Sequence, residues 1–163
     1  MRVTQLSTTP IKGLALHHPS AIRVDETGAV GDRVFFLVDE GDALVSVAKT
    51  GALVGISAEY DATTRLLSLY EHGDLLVEDE VHLGDVIQAD FFAFRTAPGR
   101  VVTGPWADLL SHRAGRPLRL VQGSDALRAH DVEPLSLLGS ASVDALSRQA
   151  GEAVDARRFR MLI

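Results

Sequence analysis

Three basic residues stand in settings that would hold them still, and a fixed cation is the simplest device for binding an anion. Lys12 lies in Thr8-Thr9-Pro10-Ile11-Lys12-Gly13-Leu14, where Pro10 presets a turn and Gly13 frees the backbone for close approach to a ligand. Arg33 follows Gly31-Asp32 and opens the apolar run Val34-Phe35-Phe36-Leu37-Val38. Arg160 sits inside Arg158-Phe159-Arg160-Met161-Leu162-Ile163. Arginine's planar fork suits bidentate recognition of a phosphate, and lysine acts as a mobile point charge. Drawn from distant segments, the three would make a phosphate pocket if the fold brought them together. Taken singly, each is better explained by a structural ion pair, such as Arg33 with a neighbouring acid.

Other chemistry is scarce. The chain has no Gly-rich phosphate loop followed by Lys, no metalloprotease His pair and no Gly-x-Ser-x-Gly elbow. His17 and His18 are adjacent, so on a strand they would face opposite ways rather than share a metal. Cysteine is absent, which excludes disulfides, thiolate metal sites and a cysteine nucleophile within these residues. The net charge of -6 argues against a nucleic-acid partner, because neutralising phosphates needs clustered Lys and Arg in excess. The only lysines are Lys12 and Lys49, while arginines gather at Arg113, Arg116, Arg119 and Arg128 and again at Arg157, Arg158 and Arg160. No run of about 18 apolar residues exists to form a membrane helix. The start, Met1 to Leu6, alternates like a strand and lacks the apolar stretch of a secretory signal, so a cytoplasmic protein without a membrane partner is expected.

The elements that would position these cations are mostly strands. Short alternating or apolar runs separated by Gly and Asp predict strands at 3–8, 21–24, 33–38, 43–47, 54–60, 66–70 and 74–77. The turns Asp25-Glu26-Thr27-Gly28, Asp39-Glu40-Gly41-Asp42 and Glu71-His72-Gly73-Asp74 place Gly or Asp where positive φ is wanted. So many short antiparallel strands must close or stack to protect their edges, and a barrel is the expected form. Residues 86–94, heavy in Phe91, Phe92 and Phe94, read as a further core strand. Pro105 to Ala114 reads as a short amphipathic helix, with Trp106, Leu109, Leu110 and Arg113 at helical spacing and Gly115 as its stop. Residues 117–122 alternate as a strand.

The polar stretch 123–133 is the expected linker between a domain at 1–122 and a second, incomplete one at 133–163. In the second, 134–138 predicts a buried strand. Ser140 to Gly151 predicts a helix with a serine start and a Gly stop, carrying Val143, Leu146 and Ala150 on one face. Residues 157–163 turn apolar as a strand would. An ending in mid-strand is expected to reflect truncation or proteolysis.

These segments, in order, resemble the MOSC family, named for the C-terminal domain of molybdenum cofactor sulfurases, together with the β-barrel domain that precedes it. Pro10-Ile11-Lys12-Gly13 resembles the family's Tyr-Pro-(Val/Ile)-Lys-(Ser/Gly). Gly31 to Val38 is similar to its Gly/Arg-Asp-Arg-x-(Trp/Phe)-x-(Leu/Val)-(Val/Ile), and Trp106 to Leu120 to its helix and strand ending Pro-x-Arg-Leu. Pro134 to Leu146, followed by Arg158-Phe159-Arg160, resembles the opening of the MOSC domain itself. The resemblance implies a mostly β fold: an antiparallel β-barrel with one short helix, then the opening β-α-β portion of a MOSC domain. It also implies that Lys12, Gly13, Arg33 and Arg160 bind the pterin and phosphate of a molybdenum cofactor (molybdopterin), as in relatives such as the mitochondrial amidoxime-reducing component. The family's molybdenum-ligating cysteine belongs to a part that this chain does not reach, so the cofactor is expected only in an extended chain.

Three functions remain open at this stage. The first is the N-terminal portion of a molybdenum-dependent oxidoreductase or sulfur carrier, inactive alone, in which the metal-bound pterin does the chemistry. The second is a non-catalytic barrel that pairs with a partner chain or a missing C-terminal segment, for which an unpaired apolar edge at Met161-Leu162-Ile163 would speak. The third is a self-contained barrel that binds a small molecule.

Overall fold

The computed structural model describes residues 2–46, 51–124, 129 and 133–163. Among these, nine strands form three antiparallel sheets: β1 (Val24–Asp25), β2 (Gly28–Ala29), β3 (Phe35–Val38), β4 (Ile56–Asp61), β5 (Leu66–Glu71), β6 (Asp74–Glu80), β7 (His82–Phe91), β8 (Arg95–Thr103) and β9 (Arg119–Gly123). β1 and β2 pair alone, β4-β5-β6 make a second sheet, and the third runs β3-β9-β8-β7. The protein is therefore mostly β, with two α-helices among the described residues, α1 (Trp106–Ala114) and α2 (Ser140–Ala150). No helix of the described residues is long and apolar enough to cross a membrane.

The third sheet curls. Ala43 bridges Asp90 of β7 on one side and Leu44 bridges Val38 of β3 on the other, so its two edges meet through this short link. Asp90 donates its amide to the Asp42 carbonyl at 2.8 Å, and Leu44 to that of Asp90 at 2.8 Å. Side chains alternate across a strand, so β3 buries both faces. Phe36 and Val38 join Leu44, Ala89, Phe91, Ala97, Val121 and Ala129 inside the curl. Phe35 and Leu37 face a larger core with Leu120, the sheet residues Ile56, Ala58, Leu67 and Leu69, and Trp106 and Leu110 of α1. Trp106 donates its indole N–H to the Leu67 carbonyl at 3.0 Å, which fixes the helix to β5. Gly115 ends α1 in the left-handed conformation that a residue without Cβ adopts freely.

Several expectations fail for physical reasons. Residues 3–8 form no strand: Thr8 bridges His17, Ser7 donates its amide to the Leu162 carbonyl, and Val3 is exposed, because alternation supplies a face but no continuous neighbouring edge. The strand at 21–24 shrinks to its last residue, extended by Asp25. The strand at 86–94 starts earlier and stops at Phe91. Phe92 and Phe94 lie in the following turn, Phe94 being 89% exposed, so only one of the three rings is core. The strand over Arg95–Thr103 has no counterpart among the expected ones. The strand at 134–138 is neither regular nor buried: Leu137 is 68% exposed. Ser140 does not cap α2, whose N-cap is Gly139 without a side-chain bond. Residues 156–159 wind into a 3-10 turn instead of a strand, because Asp155 accepts the Arg157 amide and pairs with its side chain.

The two ends of the segment around α2 nevertheless meet. Ile163 donates its amide to the Ser136 carbonyl at 3.0 Å, and Leu138 to that of Ile163 at 2.7 Å, the pattern of a parallel bridge. Most of the expected linker, 125–128 and 130–132 with Arg128 and Val132, lies outside the described residues, as do Val47 and Lys49. Ala129 is described and buried.

Candidate basic cleft

The loop carrying Lys12 is built against the start of β3. Lys12 donates its amide to the Phe35 carbonyl at 2.8 Å, and Phe35 donates to that of Pro10 at 2.9 Å. Ile11 and Leu14, both fully buried, nail the loop to the core on either side of the lysine. Gly13 turns the chain at φ 101, a conformation that costs a side-chain-bearing residue.

Asp32 anchors the same loop from beneath. It is completely buried and uses both carboxylate oxygens: Oδ1 accepts the Thr9 amide at 2.8 Å, and Oδ2 accepts Nη1 of Arg33 at 2.5 Å. The Arg33 amide donates to the Thr9 carbonyl at 2.7 Å, so residues 9 and 33 are locked by main chain and side chain together. The ion pair anticipated for Arg33 is therefore present, and its acid is the residue immediately before it.

Arg33 nevertheless reaches further. Its side chain is 14% exposed, and Nη2 donates to the Arg160 carbonyl at 3.1 Å. Arg160 answers with its own guanidinium, which donates to the Leu14 carbonyl. Lys12 Nζ donates to the Ala129 carbonyl at 3.0 Å, while the Ala129 amide donates to the Arg33 carbonyl at 3.1 Å. The structure thus brings Lys12, Gly13, Arg33 and Arg160 into one neighbourhood, with the buried Asp32 carboxylate paired to Arg33. The carbonyls that meet the two arginines orient them without cancelling charge. Burial, then the nearby charge of Arg33, pushes the Arg160 pKa down, which marks two guanidiniums crowded together and partly desolvated.

Both arginines hold left-handed backbone, Arg33 at φ 48 and Arg160 at φ 51. Arg160 does so as the cap of the 3-10 turn at 156–159, and Arg33 in the turn that enters β3. Asp32, Thr9 and the Leu14 carbonyl were not singled out from the sequence. Only the Asp could have been, as an acid between a Gly and an apolar run.

The remaining candidates disperse. His17 meets the Ala58 carbonyl at 2.7 Å and His18 meets Gln5, Ser7 and Leu6, and no group of residues suited to holding a metal occurs among the described residues. An open hollow of 540 Å³ lined by Asp39, Glu40, Gly41, Ala43, Arg116 and Pro117 does not include the cleft's residues, and its Arg116 is paired with Asp39 at 3.3 Å.

Residues 1–96 match the family described as the MOSC N-terminal beta barrel domain. Among curated proteins, none matches this chain. Among solved structures, a similar one is the solution structure of a Bordetella bronchiseptica protein determined as a structural genomics target. It is 18% identical, with 71% of this chain and 97% of that one covered at a TM-score of 0.43.

Proposed function

The chain belongs to the MOSC N-terminal beta barrel domain family, and from that premise we propose that its basic cleft holds the phosphate end of a molybdenum cofactor. The observation that supports this is the convergence of Lys12, Arg33 and Arg160 on one stretch of the fold, linked through the Ala129, Arg160 and Leu14 carbonyls and anchored by Asp32 under Arg33. The donor set fits a phosphate: two planar forks and a point charge. It does not fit the metal, since the 163 residues contain no cysteine to supply a soft thiolate. Bound, the cofactor supplies the metal-centred redox or sulfur-transfer chemistry of the family.

What this chain contributes is position. Asp32 holds the Arg33 fork at a set angle, and the Pro10-to-Leu14 loop fixes the Lys12 main chain against the start of β3. Each charge-assisted hydrogen bond is worth roughly 1.5 to 3 kcal/mol if well placed. Part of that is spent in parting the cations from the carbonyls that now engage them, so the 163 residues bind the phosphate end weakly and do not retain molybdenum.

Two measurements test the proposal. Titration calorimetry with a pterin phosphate and its dephosphorylated form should show binding only of the first, weakened about tenfold or more by Arg33→Gln. Equal affinity for the two forms would overturn the site. Metal analysis of the chain purified from a host that makes the cofactor should find little molybdenum, and a stoichiometric amount would sink the claim that the metal is not retained.

A further inference from the structure

Arg160 is bound to the barrel twice, in opposite senses. Its carbonyl accepts from Arg33, and its guanidinium donates to the Leu14 carbonyl. The two residues thus clasp the C-terminal segment to the loop at 9–14. Beyond the clasp Leu162 is buried and its carbonyl accepts the Ser7 amide at 2.7 Å, while its amide meets Ser136 Oγ at 3.0 Å. Further ties of the segment run between Ile163 and residues 136–138.

The clasp is electrostatically incomplete. It draws two guanidiniums together, partly out of water, where like charges repel more strongly than in bulk solvent. Among the described residues Asp32 is the one carboxylate hydrogen-bonded to either of them, and its Oδ1 is committed to the Thr9 amide. An anion seated between the two forks would relieve the repulsion and bridge barrel to segment with bidentate bonds. Resting on the anion-site reading above, we infer that the clasp is closed by the anion: a phosphate group held by Arg33 and Arg160 locks residues 160–163 onto the barrel, and the segment opens more readily without it.

Coupling of this kind is reciprocal, so whatever holds the segment closed also tightens phosphate binding. Phosphate binding and the docking of residues 160–163 therefore secure each other.

Trypsin reads the clasp directly. To cut after Arg160 the protease must take the guanidinium that Leu14 now holds, whereas Arg158, exposed in the 3-10 turn, serves as an internal comparison. The full 163-residue chain is digested with increasing inorganic phosphate, and with sodium chloride at matched ionic strength. Release of Met161 to Ile163 is followed by mass spectrometry, and phosphate binding by calorimetry on the same protein. Saturating phosphate should slow the cut after Arg160 by about tenfold relative to the cut after Arg158. Half of the effect should fall at the concentration that half-saturates binding, and chloride should have no effect. Arg33→Gln should abolish the protection. Because that variant leaves Asp32 buried without its partner and can fail to fold, Arg33→Lys is the companion, expected to keep protection but to need more phosphate.

Binding without protection, faster cutting with phosphate, or equal protection by chloride would each overturn the clasp while leaving the anion site standing. Absence of phosphate binding would remove both.

Discussion

The two helices are close in length, end alike and differ in everything else. α1 buries Trp106 and Leu110 completely against β5 and β9, and both α1 and α2 finish on a left-handed glycine, Gly115 and Gly151. α2 buries none of its residues, although Val143, Leu146 and Ala150 share a face. Amphipathic spacing therefore specifies that a helix has an apolar side, not that this chain covers it. The barrel half is held by two apolar cores. Among the described residues, the segment at 133–163 is held by a few polar bonds and the buried side chain of Leu162.

Removing the anchor of the first helix should break the comparison most sharply. Trp106→Ala deletes a fully buried ring and leaves the Leu67 carbonyl without its donor, so a loss of about 3 to 5 kcal/mol is expected. Urea unfolding would report it, and a loss under about 1 kcal/mol would mean that α1 is not the keystone described above.

Leu146→Ala is the counterpart on α2. Leu146 is 41% exposed, and both residue types favour helix, so global stability should move by less than about 0.5 kcal/mol in the same measurement. A destabilisation as large as that of Trp106→Ala would show that the face of α2 is covered in solution, and the contrast between the helices would fall.

The contrast also explains what could be read from the sequence. α1 was legible because Trp106, Leu109, Leu110 and the Gly115 stop state a period and an end. β3 was legible because a strand buried on both faces is a continuous apolar run, Phe35-Phe36-Leu37-Val38. β8 was not, because packing demands small residues there. A Cβ on Gly99 would lie 2.5 Å from Val121 Cγ1 and 2.9 Å from the Gln122 carbonyl, so the strand carries Ala97 and Gly99 in place of the branched side chains that announce a strand. At the cleft, the identities of Lys12, Arg33 and Arg160 were legible from setting and resemblance, and their convergence was not. It depends on the pairing of Ile11 with Phe35 and of Ser7 with Leu162, contacts across 24 and 155 positions of chain that no local pattern encodes. Residues 156–159 misled because the apolar tail suggested a strand, while the Asp155–Arg157 pair two positions apart was decided by turn geometry.

That pair gives the smallest effect and the finest test of how the two halves are held. Asp155 caps the 3-10 turn by accepting the Arg157 amide at 2.9 Å, and its carboxylate meets the Arg157 guanidinium at 2.5 Å. Hydrogen bonds from the Arg157 side chain, then from its amide, lower the Asp155 pKa from 3.8 to about 2. A carboxyl depressed on folding stabilises the folded turn above its unfolded pKa and stops doing so as pH falls through its folded one. The turn's contribution should therefore be whole above about pH 4 and fade between 3.8 and 2. Both groups face water, so the effect is local: hydrogen exchange at the Arg157 and Arg158 amides should rise across that window, beyond the intrinsic pH trend, without a matching rise in the barrel strands. Asp155→Asn keeps a side-chain oxygen for the cap but cannot titrate, and should flatten the dependence. If exchange at these amides keeps the same pH profile in Asp155→Asn, or rises together with that of β3 and β9, the segment is held by the barrel core rather than by its own polar bonds.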